Sequence, residues 1–499
     1  MNQLRSWLFL GGCSLALSLT NIVFSIAPAH AVSLVNSVTI PADTPDLYPL
    51  NGSSGGANIN RLGMFSDLYY DRHNQVYYGL SDRGPGGGVI DYQTRVQKFS
   101  LDVDPTTGGI SNFNLLETIL FTKDGENFNG LNPERLNGDT SKLGLSFDSE
   151  GFVVAPNGNF YVSDEYGPSV NEFRPDGSFV RSFQTPANLL SRASDGTLDY
   201  VGDRDVITSG RQDNRGFEGL AMSPDGSKLF AMLQDPLVNE GTNNDGRRSR
   251  NLRIVEFDTK SGQSTAQYIY QLESFAEIND RIPGTEDDFS ATNQGRSIGI
   301  SAIAAINELE FLVLERDNRG LGVEDPTASA PVGSKRVYKI NLAQATNVSN
   351  LSLAGTNNLP SGVNPVSKSL FLDVADALTQ TGQVLPEKLE GLTIGPKLAD
   401  GSHSILLGTD NDYSVTQNDS DVQFDVCTNG TTATEVAIDS ACPDGQQLIP
   451  GFLYSFRAKA DELGDFISPQ KTPEPTVLGG LLLVGLASLS LKRRYSSKM

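Results

Sequence analysis

Acids recur in this chain at fixed places relative to short apolar runs. In residues 150–167, EGFVVAPNGNFYVSDEYG, Glu150 opens one apolar run, and Asp164 with Glu165 closes the next. The Pro156-Asn157-Gly158 between the runs is a hairpin signal, because Asn and Gly both tolerate positive φ. Two antiparallel strands would then bring three carboxylates to one end of the pair. Carboxylates gathered in this way repel one another unless a cation or an Arg/Lys compensates, and oxygen-only ligation favours Ca²⁺ or Mg²⁺ over softer metals.

The same pattern returns along the chain. Residues 65–84 end in Ser81-Asp82-Arg83-Gly84, and residues 218–235 open on Glu218 and end in Gln234-Asp235. Residues 300–317 end in Leu314-Glu315-Arg316-Asp317, and residues 390–412 run from Glu390 to Asp410 and Asp412. Basic residues accompany the acids: Arg83, Arg215, Arg316 and Lys388. A mixed site of this kind suits an ester or phosphoester, with guanidinium groups orienting its oxygens and a metal-bound water attacking. The candidates are Glu150, Glu218, Glu390 and Glu315 for catalysis, and Asp82, Asp164, Glu165, Asp410 and Asp412 for the metal. Arg83, Arg215, Arg316 and Lys388 are the candidates for substrate binding. The competing reading is structural, with the acids as strand-end turn formers and salt-bridge partners.

Something must bring these residues together. Each hairpin is followed by an alternating segment that reads as an outer strand pair, at 96–120, 170–183, 252–272, 337–353 and 452–467. Repeated four-stranded units of uneven length predict an all-β fold, a β-propeller of five or six four-stranded blades with long inserted loops. Equivalent ends of the inner hairpins then converge on one axis. The strand around Val38-Thr39-Ile40 is expected to complete the last blade. Loops 188–214 and 279–295 are expected over one face, and a short helix is expected over 368–378.

Other chemistries are disfavoured. Gly295-Arg296-Ser297-Ile298-Gly299 matches a nucleophile pattern that requires a strand before it and a helix after it, whereas a loop and then a strand are expected here. His73 and His403 are both expected in hairpin turns, which argues against a Ser-His-Asp triad and against zinc. A net charge of -22 argues against nucleic acid as a partner.

Six stretches together carry a resemblance: GLSDRG (79–84), YVSDEYG (161–167), NRGFEGL (214–220), FLVLERDN (311–318), EKLEGL (387–392) and DND (410–412). On these the chain resembles the phytase-like family described as "esterase-like activity of phytase". The resemblance implies a β-propeller related to Ca²⁺-dependent phytases and an exported hydrolase of ester or phosphoester bonds acting on a small molecule. The alternative is a non-catalytic, Ca²⁺-stabilised protein of the cell surface or matrix.

The ends read as targeting segments. Arg5, the apolar run 7–27 and Ala29-His30-Ala31 form a signal peptide over 1–31, followed by a propeller domain over 32–470. In the tail 471–499, Pro473-Glu474-Pro475, the apolar run 477–491 and Lys492-Arg493-Arg494 resemble a PEP-CTERM sorting signal. That resemblance implies processing by an exosortase-type protease, transient membrane contact through a C-terminal transmembrane helix, and a cell-surface or extracellular location. Cys427 and Cys442 are the cysteines left after signal removal, and in an oxidising compartment they are expected to form a disulfide.

Overall fold

The computed structural model describes residues 32–48, 61–136, 143–203, 205–285, 289–418 and 420–470, with backbone alone at 295–296. The expected signal peptide 1–31 and the expected sorting tail 471–499 lie outside these residues. Among the described residues, no helix is long and apolar enough to cross a membrane.

The described residues are largely β, and they include five four-stranded antiparallel sheets. The first sheet comprises Asp67–Asp71, Val76–Leu80, Arg95–Val103 and Ile110–Leu120. The second comprises Ser149–Val154, Phe160–Asp164, Ser169–Phe173 and Phe179–Ser182. The third comprises Phe217–Met222, Lys228–Leu233, Asn251–Asp258 and Ser264–Gln271. The fourth comprises Ile298–Ala305, Glu310–Asp317, Lys335–Asn341 and Ser367–Asp373. The fifth takes Lys388–Lys397, His403–Asp410 and Gly451–Ala458, and its fourth strand is Ser33–Ile40 from the other end of the chain. The pairing Val38↔Leu453 and Ile40↔Gly451 gives the fifth sheet its fourth strand, as expected from the sequence.

Burial changes from the inner strands to the outer ones. Phe217–Met222 is buried at every residue, whereas Ile110–Leu120 is mostly exposed or half-buried. A strand packed on both faces reads as a nearly continuous apolar run, here broken by Glu218, and an edge strand need be apolar only where it touches a neighbour. Apolar clusters fill the spaces between successive sheets. Phe152, Phe160 and Phe173 meet Tyr78 and Val96 between the first and second, and Leu406 and Leu453 meet Leu68 and Phe99 between the fifth and first.

Four expectations need correction. Residues 368–373 form a strand instead of the start of a helix, because Ser367–Asp373 fills the fourth place beside Lys335–Asn341; the helix is Val374–Gln380, capped by the Asp373 carboxylate. The outer pair expected within 337–353 is therefore built from Lys335–Asn341 and a strand past a long loop. At the turn of the second sheet, only Gly158 adopts positive φ (87°); Asn157 instead accepts the Asn159 N–H through its side chain. His403 is the first residue of a strand, beside Phe466, and is not in a turn.

Candidate active site

Four innermost strands carry a β-bulge at the same level. Pairing skips from Ser149 to Phe152, from Phe217 to Gly219, from Ile300 to Ala302 and from Leu389 to Gly391. The residues skipped include Glu150, Glu218, Ser301 and Glu390. A bulge re-aims a side chain that regular alternation would send elsewhere, and Glu150, Glu218 and Glu390 all line one cavity of about 400 Å³.

The glycine after each glutamate has its own role. A Cβ on Gly151 would lie 2.7 Å from the Leu220 backbone nitrogen, one on Gly219 would lie 3.0 Å from that of Ile303, and one on Gly391 would lie 2.9 Å from the Leu68 Cβ. Each Glu-Gly pair thus turns an acid into the cavity and lets the next innermost strand pack close behind it.

Loops complete the lining. Asp82, Arg83, Glu165, Arg215 and Arg316 come from strand ends, and Lys388 starts the innermost strand of the fifth sheet. Loop 188–214 supplies Gln212, Asp213 and Asn214, and the stretch after Asp412 supplies Gln417 and Asn418. The described residues of loop 279–295 are absent from the lining. The turn to Asp412 is strained: Asp412, Tyr413 and Ser414 have φ of 48°, 58° and 57°. Each left-handed non-glycine residue costs about 1–3 kcal/mol. Asn411 caps the turn, and the Ser414 hydroxyl donates to the Val426 carbonyl at 2.7 Å.

Carboxylate oxygens from Asp82, Asp410 and Asp412 lie within 4.8 Å of one another; so do those of Asp82, Asp148 and Glu150, and those of Glu150, Glu165 and Glu218. Asp82 and Glu150 each belong to two of these groups, so the acids form a continuous chain. Burial pushes Asp82 up to about 7, although Lys388 opposes it. Burial and the Glu390 charge push Glu218 up to about 8. Glu150 and Glu165 are raised well above the carboxylate range by burial and then by Glu218. Glu218 Oε2 and Asp410 Oδ2 are buried with no hydrogen-bond partner. Crowded acids of raised pKa with unmet oxygens fit a hard divalent cation.

Each cation in the cavity is held by an acid. Arg83 reaches Asp148 at 3.5 Å, and Arg215 reaches Asp235 at 3.1 Å and Glu165 at 3.4 Å. Arg316 pairs with Glu390, and Lys388 with Asp412.

Asp410 and Asp412 do not line the cavity but adjoin it through Asp82, and two further expected site residues are elsewhere. Glu315 precedes Arg316 on a strand, so the two face opposite sides. Its buried carboxylate accepts from the Tyr270 hydroxyl at 2.6 Å and from the Glu273 N–H at 2.7 Å, and pairs with Lys368. Asp164 accepts from the backbone N–H groups of Asp148, Tyr166 and Gly167, acting as a turn cap beside a second cavity. Asp148 was missed in the sequence. It lies two residues before Glu150, a signal of the same kind as Lys388 before Glu390. The GRSIG segment forms a short helix, Gln294–Ser297, that leads into a strand, the reverse of the nucleophile arrangement.

A family model described as "Phytase-like: Esterase-like activity of phytase" matches residues 60–413, which contain all six motif stretches. The chain belongs to this family. The match begins after Ser33–Ile40 and stops before Gly451–Ala458, so it omits the two outer strands of the fifth sheet. A relative from Arthroderma benhamiae, named "Uncharacterized secreted protein", is 26% identical over 431 residues, covering 73% of this chain and 81% of its own length. Among solved structures, a luciferin-regenerating enzyme is similar with a TM-score of 0.29 at 13% identity, covering 85% of this chain and all of its own. The Dos1 propeller is similar with a TM-score of 0.26 at 9% identity, covering 83% of this chain and 81% of its own. At these scores the likeness assigns neither fold nor activity. Family membership supports a hydrolase in general, and the disulfide expected from the sequence joins Cys427 to Cys442.

Proposed function

We propose that this chain is an exported hydrolase of ester or phosphoester bonds, built as a closed five-bladed β-propeller with a divalent cation, Ca²⁺ first, held at its axis. The observation that carries the reading is the chain of buried carboxylates, two with unmet oxygens, that runs along one cavity among four basic side chains. Closure is supported by contacts between successive innermost strands, including those of the fifth sheet with the first.

In this reading Glu150, Glu165 and Glu218 hold the cation, and Asp82, Asp410 and Asp412 form the neighbouring ligand group. When bound, such a cation supplies Lewis acidity and lowers the pKa of a coordinated water. Arg83, Arg215, Arg316 and Lys388 orient the ester oxygens, each able to share its donors between its acid partner and the substrate. Glu390, fixed by Arg316, stands as acceptor for the proton of the attacking water. Water adds across the bond: its oxygen joins phosphorus or acyl carbon, the ester oxygen leaves, and that oxygen takes up a proton. Glu315 and Asp164 are left with structural roles.

Export through segment 1–31, sorting of the tail 471–499 by an exosortase-type protease and transient membrane contact belong to the same proposal. The disulfide supports an oxidising compartment, and the name of the Arthroderma benhamiae relative describes a secreted protein.

The test is hydrolysis of phosphate and carboxylate esters by the purified mature chain with Ca²⁺ or EDTA, beside Glu218→Gln. The expected result is turnover abolished by EDTA and reduced about 10²-fold or more by the substitution, which keeps the side chain's shape. Turnover indifferent to both would overturn the reading. A Ca²⁺-dependent rise in melting temperature without turnover would favour the non-catalytic, Ca²⁺-stabilised protein.

A further inference from the structure

Among the described residues, the cavity lining contains no aliphatic or aromatic side chain. Apart from Gly87, it consists of eight carboxylates, four cations and seven carboxamides. Ordinary ligand pockets of this size are predominantly apolar with a few polar groups. An acyl chain or an aryl leaving group would therefore bury no apolar surface here and would displace water from charged groups that it cannot satisfy.

Polyanions meet a different obstacle. All four cations are paired with carboxylates, and acids outnumber them two to one in the lining. One phosphate could be met by shared guanidinium donors and a bound cation, whereas each further phosphate would face the remaining acids.

The carboxamides indicate what the rest of the ligand looks like. Asn214 Oδ1 accepts from Arg83 at 2.6 Å, and Asn318 Oδ1 accepts from Arg316. A guanidinium on the amide oxygen fixes the flip, so each NH₂ is turned away as a donor. Amide donors interleaved with carboxylate acceptors match hydroxyl groups, which both donate and accept.

We infer that the cavity selects a compact, hydroxyl-rich monoester of phosphate, a singly phosphorylated polyol or sugar, over acyl and aryl esters and over polyphosphorylated polyols. This rests on the hydrolase reading for its chemistry, while the selection itself is a matter of binding.

The experiment compares a hexose monophosphate, inositol hexakisphosphate and p-nitrophenyl butyrate with Ca²⁺ present, measuring both kcat/KM and the ligand-induced shift in melting temperature. The hexose monophosphate is expected to lead in both, with kcat/KM at least about tenfold higher. Asn318→Leu is expected to raise its KM several-fold with kcat little changed. Preference for the butyrate or the hexakisphosphate would overturn the inference while leaving the hydrolase reading intact. No turnover, with the monophosphate still giving the largest thermal shift, would sink the hydrolase reading alone. No turnover and no such ranking would overturn both.

Discussion

The innermost strands end in opposite environments. At one end their bulged residues Glu150, Glu218 and Glu390 line the acid-rich cavity. At the other, Leu68, Phe152, Leu220, Ile303 and Leu392 surround a space of about 50 Å³, with Phe466 and Pro469 of the segment 464–470 beside it. That segment is tied down by Ile467 N–H to the Ile306 carbonyl and Gln470 N–H to the Pro224 carbonyl. The apolar end also has a buried acid. Burial raises Asp67 well above the ordinary carboxylate range, yet its two oxygens accept from the Leu68 N–H at 2.7 Å and the Phe152 N–H at 2.8 Å. Burial and a raised pKa therefore do not distinguish a site from a structural acid. Unmet oxygens in company do, as at Glu218 and Asp410.

Substitutions at the two ends should separate in their effects. The largest stability effect is expected at the apolar end, where Leu220→Ala removes a fully buried side chain. Urea unfolding should show a loss of about 2–5 kcal/mol, with the Ca²⁺-induced thermal shift retained. A Leu220→Ala protein that keeps its stability but no longer responds to Ca²⁺ would erase the distinction between the ends.

A smaller loss, about 1–3 kcal/mol, is expected for Gly151→Ala, because its Cβ would press on the Leu220 backbone. Glu150→Gln, one residue away, should lower the affinity for Ca²⁺ with little cost in stability. Similar losses from both substitutions would mean that the Glu-Gly pair is purely a packing device.

Protonation gives the finest contrast. Asp82 and Glu218 sit at about 7 and about 8 in the folded chain, against about 4 when unfolded. Over that interval the folded form holds protons that the unfolded form has released. In EDTA, their contribution to stability is therefore fully present below pH about 4 and lost as pH rises through about 8. Cation binding favours the deprotonated acids, so the gap in melting temperature between Ca²⁺ and EDTA should widen with pH over this range. Asp67→Asn should leave that widening unchanged, because its oxygens are already met by backbone amides. A gap independent of pH would place the cation elsewhere.

Much of this was legible in the sequence because it is local. Continuous apolar runs marked inner strands, alternation marked outer ones, and the strand at Val38-Thr39-Ile40 could be assigned to the incomplete last sheet. The Glu-Gly repeats at 150, 218 and 390 pointed to one constellation, since equivalent positions in repeated units occupy equivalent places. The outer strand at 367–373 was not legible: its pairing with 335–341 spans a long loop, and no local pattern encodes that.

The sequence by itself determined which residue types recur and at what intervals, and hence that acids and bases would gather at corresponding strand ends. Only the tertiary structure decided which of them share the cavity. A bulge, invisible to period-two counting, turned Glu218 inward. Regular alternation carried Glu315 into an inter-sheet interface although Arg316, its neighbour, lines the cavity. The backbone amides of a tight turn satisfied Asp164 and left Glu165 beside it to join Glu150 and Glu218. In each case the decision lay in a side chain's direction and in whether its oxygens found donors, which depend on partners distant in the chain.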